Sequence, residues 1–336
     1  MENLLSKKHV LVIGGAGYIG SVLIRKLLLS GCRVRVLDSL LYDNGTSVSG
    51  LTENESFSFL YGDFGDKFKL NLALEGITDV VLLAALVGDP ICKKYPGKAK
   101  ITNLDYPKEL LAELVGRGID KFVFTSTCSN YGLRTDDSLA DEQSDLNPQS
   151  LYAETKVEIE HFIQENLERF DYSPTVLRLA TAFGLSERMR FDLTISEFTK
   201  DLALGKDLVV YDENTWRPYC NVSDISEAII KVITASREKI NGQVFNVGSD
   251  SNNYTKKMII DLIQKHVKHS RIEYKKGGFD PRNYRVSFSK IEEQLNFRVK
   301  FNVEDSIKNL IAALNNKLFS DIEQRKNFYG NYFLTE

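Results

Sequence analysis

The sequence predicts an α/β fold: a doubly wound parallel sheet carrying a smaller C-terminal α/β domain. Three observations predict it. Short apolar runs of strand length alternate with longer stretches of helical periodicity through the first half of the chain. Several of those runs, such as Val10–Ile13 and Asp79–Leu83, are almost continuously apolar, as strands buried on both faces require. The first run leads into Gly14, Gly17 and Gly20 and then into a helical pattern, the turn a strand makes when it passes sharply into a helix.

The elements follow in order. After Val10–Ile13 the helical pattern runs from Tyr18 to Leu29 and stops at Ser30-Gly31, a helix-end signal. Further strands are expected at Val34–Leu37, Phe57–Tyr61, Asp79–Leu83, Lys121–Thr125 and Thr175–Leu179, with helices at Lys98–Gly116 and Leu151–Phe170. The polar, glycine-containing stretch Leu41–Ser49 reads as a surface loop. Beyond Gly184 the pattern changes: cationic residues thicken and the elements become mixed. A helix is expected over Thr194–Leu204, another starts at the N-cap signature Ser223-Asp224, and an amphipathic one covers Val303–Leu314. Val244–Val247 reads as a strand that rejoins the first sheet. Residues 1–182 are therefore expected to form a first domain to which about 220–248 returns, and 183–336 mainly a second.

Composition narrows the class. The 336 residues are 43% apolar and 26% charged, as in globular proteins, and the formal net charge of −3 gives no polyanion-binding surface. No nucleic-acid partner is expected. No apolar run reaches the roughly 18 residues of a membrane span, and no signal-peptide pattern is present, so no membrane association is expected. Four scattered cysteines, with no CxxC pair and no histidine at metal spacing, point to no metal site and to the reducing cytoplasm. There is no internal repeat.

The strand–glycine–helix turn carries the first chemistry. It leaves backbone N–H groups free at a helix N-terminus, where they and the helix dipole attract phosphate. Side chains at these glycines would block the approach of a pyrophosphate. Asp38 ends the second strand, about 20 residues on, where a dinucleotide fold places a carboxylate for ribose hydroxyls. No Arg or Lys directly follows Asp38, so a 2′-phosphate would find repulsion and no nearby cation. The cofactor expected is NAD, in a Rossmann-type domain. After the third strand, Asp63 can accept from an adenine amino group. After the fourth, Ala84 and Ala85 are small enough for close passage beside a cofactor. After the fifth, Thr125–Ser129 clusters hydroxyls at a strand end.

Tyr152 and Lys156 stand four apart in a helical pattern, hence on one face and one turn apart. A phenol is a poor base at neutral pH. A neighbouring ammonium and an oxidised nicotinamide favour its phenolate, which can take a proton from a substrate alcohol while a hydride leaves the carbon. A hydroxyl from Thr127 can share the substrate oxygen.

With these residues in view, the sequence resembles the extended short-chain dehydrogenase/reductases, in the branch of nucleotide-sugar epimerases and dehydratases that includes UDP-galactose 4-epimerase. The matching motifs are IGGAGYIG at Ile13–Gly20, Asp38, Gly62-Asp63, Ala84-Ala85, Asn103 and TSTCSNYG at Thr125–Gly132. They continue with YAETK at Tyr152–Lys156, Leu177-Arg178 with Phe183-Gly184, RPYCNVSD at Arg217–Asp224 and FNVG at Phe245–Gly248. The resemblance implies a triad of Thr127, Tyr152 and Lys156, with Ser126 the alternative to Thr127. It implies an NAD site of Gly14, Gly17, Tyr18, Ile19, Gly20, Asp38, Asp63, Phe64, Ala84, Ala85 and Lys156. Arg217 with Arg282 or Arg285 would grip a nucleotide-sugar diphosphate, for which arginine offers a charged fork. Thr181, Arg188 and Arg190 join the expected substrate site. The resemblance also implies a homodimer built on Lys98–Gly116 and Leu151–Phe170.

Departures from the family narrow the reaction. Thr181 stands where 4-epimerases carry a diphosphate-binding Asn. Cys128-Ser129 replaces the Asp-Glu pair with which 4,6-dehydratases supply an acid and a base. GDP-fucose synthases pair a Cys with a His for their epimerisation. Their Cys falls one place after Cys128, and no His occurs here between His161 and His266. The expected function is oxidation at C4 of a nucleotide sugar through a 4-keto intermediate, as a 4-epimerase or a 4-dehydrogenase. The alternatives are a 4-keto-sugar reductase and a non-catalytic NAD-binding regulator.

Overall fold

The computed structural model describes residues 5–134, 138–267, 271–278, 280 and 282–334. Strands β1 (His9–Ile13), β2 (Arg33–Asp38), β3 (Phe57–Tyr61), β4 (Asp79–Leu82) and β5 (Lys121–Thr127) alternate with helices. A two-residue β6 (Leu139–Ala140) precedes the long helix Leu151–Glu165, and then come β7 (Ser173–Leu179), β8 (Thr181–Phe183), β9 (Leu208–Tyr211) and β10 (Trp216–Asn221). The helix Val222–Thr234 leads to β11 (Val244–Val247), followed by β12 (Asn253–Thr255), β13 (Ile272–Lys275) and β14 (Arg285–Val286).

The main sheet has the order β11-β7-β5-β4-β1-β2-β3. All its pairings are parallel. Strand order reverses between β1 and β4, the switch point at whose carboxyl ends such sheets open a crevice. β11 joins the far edge beside β7, so the chain returns to the sheet after β8, β9 and β10.

Alternation along the strands divides the core into two layers. Val10, Val12, Val34, Val36, Val81 and Val123 pack on one face against Leu23, Ile24 and Leu27 of the helix Gly20–Leu29 and Ile225 and Ile229 of Val222–Thr234. Leu11, Ile13, Val80, Leu82, Phe122 and Phe124 pack on the other, against Leu110, Leu111, Ile159 and Ile163. Each such side chain, fully buried, contributes about 1.5–3 kcal/mol. A third core, with Phe183, Ile195, Phe198, Tyr219, Ile260 and Ile307, organises the smaller unit. There β10 pairs with β8 and β12, and β9 pairs with β13.

Four sequence expectations are corrected. The stretch Leu41–Ser49 is not a simple surface loop: Tyr42, Asn44 and Ser47 are buried. Asn44 Nδ2 and Ser47 Oγ each donate to the Ala16 carbonyl at 2.8 Å, so the polar residues serve the glycine turn. β5 runs on through Thr127, because its ladder with β7 extends to Thr127↔Leu179. The helix expected over Lys98–Gly116 is present but not regular: Pro96–Lys100 and Tyr106–Glu113 run continuously through a π-helical turn at Ile101–Asp105. Finally, the cap of the helix Val222–Thr234 is Asn221, whose side chain accepts from Ser223 N–H.

Candidate active site

A cavity of about 560 Å³ opens at the carboxyl ends of β1, β4 and β5 and is roofed by the smaller unit. Every residue expected from sequence to bind cofactor or substrate or to act in catalysis lines it, except Arg285. That arginine leaves on β14 and stacks over the Trp216 ring at 5.2 Å.

The glycine turn is built as the chemistry requires. Gly14 sits at φ +87°, and a Cβ there would come within 2.6 Å of the Ala84 backbone nitrogen. A Cβ on Gly20 would strike the Gly14 and Gly15 carbonyls. The helix that begins at Gly20 has no side-chain cap and no acidic residue in its first turn. Its positive end therefore faces the cavity uncompensated. Asp38 lies beside it. Its carboxylate accepts Ala16 N–H at 2.9 Å and Leu40 N–H at 2.8 Å, which fixes its position, and burial raises its pKa. Asp63, Phe64, Ala84 and Ala85 complete this half. Asn103, in the π-helical turn, binds Leu86 through both backbone groups and so shapes the chain leaving β4. An uncapped helix N-terminus, a cradle that side chains would fill and a fixed carboxylate fit a dinucleotide.

The second half holds Tyr152, Lys156 and Thr127. Ser150 caps the helix Leu151–Glu165, placing Tyr152 in its first turn and Lys156 one turn on. Lys156 is 2% exposed. Its Nζ donates to the Thr125 carbonyl at 2.8 Å and lies 5.8 Å from the Tyr152 ring centroid. Burial pushes the lysine pKa down to about 7, against an opposing pull from Glu160. Burial raises the Tyr152 phenol, and the cations that oppose the rise are Arg190 and Arg282. The sequence pointed to Lys156 for that role; in the structure its ammonium is directed to the strand carbonyl.

Of the two neighbouring hydroxyls, Ser126 donates to the Glu160 carboxylate and accepts from Asn130. Thr127 accepts from Ser129 N–H at 3.1 Å and lines the cavity. Behind them Glu160 and Arg178 form a buried pair at 2.7 Å, extended through Tyr131 to Asn246. Cys128 is outside the cavity lining. It donates to the Arg178 carbonyl, and burial raises its thiol well above the ordinary value.

Two arginine groups face the cavity. Arg217 and Arg282 share the Asp280 carboxylate, each at 2.9 Å, and Arg282 also reaches Asp89 at 3.2 Å. Against burial, the Arg282 hydrogen bonds and the Arg217 charge hold the Asp280 carboxyl well below the usual carboxylate range. Arg190 pairs with Asp192. Arg188, also buried, binds the segment around Gly330. Tyr42, Glu197, Asp280, Asn331 and Tyr332 line the cavity too and were not singled out from sequence. Tyr42 lies in a stretch that reads as a surface loop, and the other four show only a polar or aromatic residue in a region of mixed pattern.

A sequence model of the NAD dependent epimerase/dehydratase family matches residues 10–248. The chain is 27% identical over 342 residues to the putative UDP-arabinose 4-epimerase 2 of Arabidopsis thaliana, covering 89% of this chain and 78% of that protein. It is 26% identical over 304 residues to the UDP-glucose 4-epimerase of Corynebacterium glutamicum, covering 85% and 89%. Among solved structures, the UDP-glucose 4-epimerase of Thermotoga maritima with UDP-glucose superposes with a TM-score of 0.80 at 25% identity, covering 92% of this chain and 99% of that one. Sequence motifs, sheet order, glycine cradle and family match agree: the chain belongs to the NAD dependent epimerase/dehydratase family and takes NAD as its cofactor.

Proposed function

We propose that the chain is a nucleotide-sugar 4-epimerase, which oxidises a sugar at C4 and reduces the 4-keto sugar from its opposite face. The observation that carries this reading is the meeting, in one cavity, of the glycine turn, the Tyr152–Lys156 helix face, Thr127 and the Arg217–Arg282 pair. When bound, NAD supplies the hydride acceptor and donor. Tyr152 takes the proton of the C4 hydroxyl and returns one to the keto oxygen. Thr127 donates to the same oxygen and fixes its direction. Lys156, anchored by the Thr125 carbonyl, holds positive charge one helical turn from the phenol, and Arg190 and Arg282 add to it. Arg217 and Arg282 exchange their Asp280 contact for the diphosphate of the substrate. Gly14, Gly17, Tyr18, Ile19, Gly20, Asp38, Asp63 and Phe64 seat the dinucleotide.

The relatives named UDP-arabinose and UDP-glucose 4-epimerase support a UDP-sugar as substrate. Cys128, turned away from the cavity, and Ser129 supply no carboxylate for dehydration. Homodimer formation and a cytoplasmic location belong to the same proposal. Ile101, 43% exposed on the stretch expected to pair, supports the first. Four free, buried cysteines suit a reducing compartment. No helix among the described residues is long and apolar enough to cross a membrane.

The test is incubation of the purified protein with a panel of UDP-sugars, followed by NMR of the products. The 4-epimer is expected. A product two mass units lighter would make the protein a net 4-dehydrogenase. No change in any sugar by a protein that binds NAD would leave the regulator reading in its place.

A further inference from the structure

The segment Asn327–Leu334 lies outside the residues matched by the family, yet it folds back across the cavity mouth. Arg188 Nη2 donates to three of its oxygens: Asn331 Oδ1 at 2.8 Å, the Gly330 carbonyl at 3.1 Å and the Asn327 carbonyl at 3.4 Å. Asp192 accepts Asn331 N–H at 3.2 Å, and Phe191 N–H donates to the Tyr329 carbonyl at 2.8 Å. On the opposite wall, Asn331 Nδ2 donates to the Val87 carbonyl in the chain leaving β4. Lys94 sits 3.9 Å from the Phe333 ring centroid. Leu334 packs against the buried cluster of Leu86, Ile91, Cys92 and Ala99, on which Leu151 and Tyr152 also rest. Phe328 and Tyr329 anchor the segment, buried edge-to-face at 4.8 Å.

These contacts join three walls of the cavity, and Asn331 and Tyr332 line it. Arg188 is 2% exposed and stacks over Tyr42 at 4.8 Å, so its guanidinium is held between the β2 loop and the segment. We propose that Asn331–Leu334 form part of the active site: they close it over the sugar and the reacting end of the cofactor, present Tyr332 to the substrate, and are latched by Arg188. The latch assigns Arg188 a positioning role in place of a direct grip on the substrate. A closed wall has a clear use in this family. A keto sugar that must turn over before it is reduced escapes from an open site. The inference rests on the dinucleotide reading of the cavity.

The experiment compares the full chain with a variant lacking residues 331–336, which keeps Phe328 and Tyr329 in the core. NADH is the probe, and this first comparison needs no sugar. Acrylamide quenching of bound NADH fluorescence and the NADH release rate are read alongside the thermal midpoint. The shortened protein is expected to melt with the full chain, to leave NADH open to quenching and to release it about tenfold faster. Arg188→Met is expected to move both readouts the same way, and KM for the nucleotide sugar is expected to rise more than kcat falls. If the deletion does not fold, the double substitution Asn331→Ala/Tyr332→Ala carries the same comparison. Equal shielding and release in a shortened or doubly substituted protein that binds NADH overturn this proposal alone. An intact chain that binds no NADH overturns the dinucleotide reading and this inference with it.

Discussion

Glu160→Gln is expected to destabilise the protein by about 3–5 kcal/mol, the cost of breaking a buried ion pair from one side. The Glu160 carboxylate accepts from Arg178 Nη2 at 2.7 Å and Nε at 3.0 Å, from Asn130 at 2.8 Å and from Ser126. The two charged side chains are 3% and 6% exposed, so water replaces none of these bonds. Glutamine preserves the length and removes the charge. The amide oxygen still accepts from Arg178, which also keeps the Tyr131 hydroxyl at 2.9 Å, but the buried guanidinium loses its paired carboxylate. The assay is urea unfolding followed by circular dichroism and by the fluorescence of the single tryptophan, Trp216. The double variant Glu160→Gln/Arg178→Met should recover much of the loss, since it leaves no unpaired ion. A second effect is local. Glu160 is the carboxylate that opposes the depression of the Lys156 pKa. Without it that pKa falls further, the ammonium persists only at lower pH, and the rate profile moves to the acid side. A stability loss under about 1 kcal/mol, with an unmoved profile, would refute both the cost assigned to the pair and its link to Lys156.

Three further predictions follow from the same geometry. Tyr152→Phe should cut turnover about 10²- to 10⁴-fold with NAD affinity unchanged, as the loss of a positioned acid–base group does; kinetics and NADH titration check it, and near-normal turnover would remove Tyr152 from the mechanism. Burial lowers the Lys156 pKa to about 7, so in the folded chain its ammonium gives up a proton around that pH, whereas in the unfolded chain it stays charged up to about its ordinary 10.5. The unfolded state therefore binds more protons between those values, and native stability rises with pH across that window. Lys156→Met should accordingly be more stable than the wild type below pH 7, by on the order of a few kcal/mol, and the gap should close as pH rises toward 10.5, which unfolding at several pH values measures. Gly14→Ala places a Cβ at φ +87° and 2.6 Å from the Ala84 nitrogen; it should cost about 1–3 kcal/mol in backbone strain and abolish NADH binding in a fluorescence titration.

What the sequence reveals depends on whether the constraint is local. The glycine turn and Asp38 are legible because a backbone that must bend without side chains leaves a fixed spacing. Tyr152 and Lys156 are legible because helical geometry alone puts them on one face. Leu41–Ser49 is misread because polar composition suggests solvent. Asn44 and Ser47 are in fact buried against the Ala16 carbonyl of the sharp turn. Arg282 and Arg285 are indistinguishable by type and neighbourhood; β14 separates them, carrying Arg285 to Trp216 while Arg282 stays with Asp280. Glu160 reads as one more charge on a helix until Arg178 arrives from β7. Arg188 and Asn331 meet from positions 143 residues apart, and no local pattern marks either as the other's partner.

The central claim is tested most directly with a UDP-sugar carrying deuterium at C4, incubated with the purified protein in ordinary water. The account predicts a 4-epimer that keeps the deuterium at C4, because the hydrogen leaves and returns within one closed site while only the hydroxyl proton passes through Tyr152. Deuterium lost to the water, or an epimer formed with the label intact at the same rate by the Tyr152→Phe variant, would contradict it.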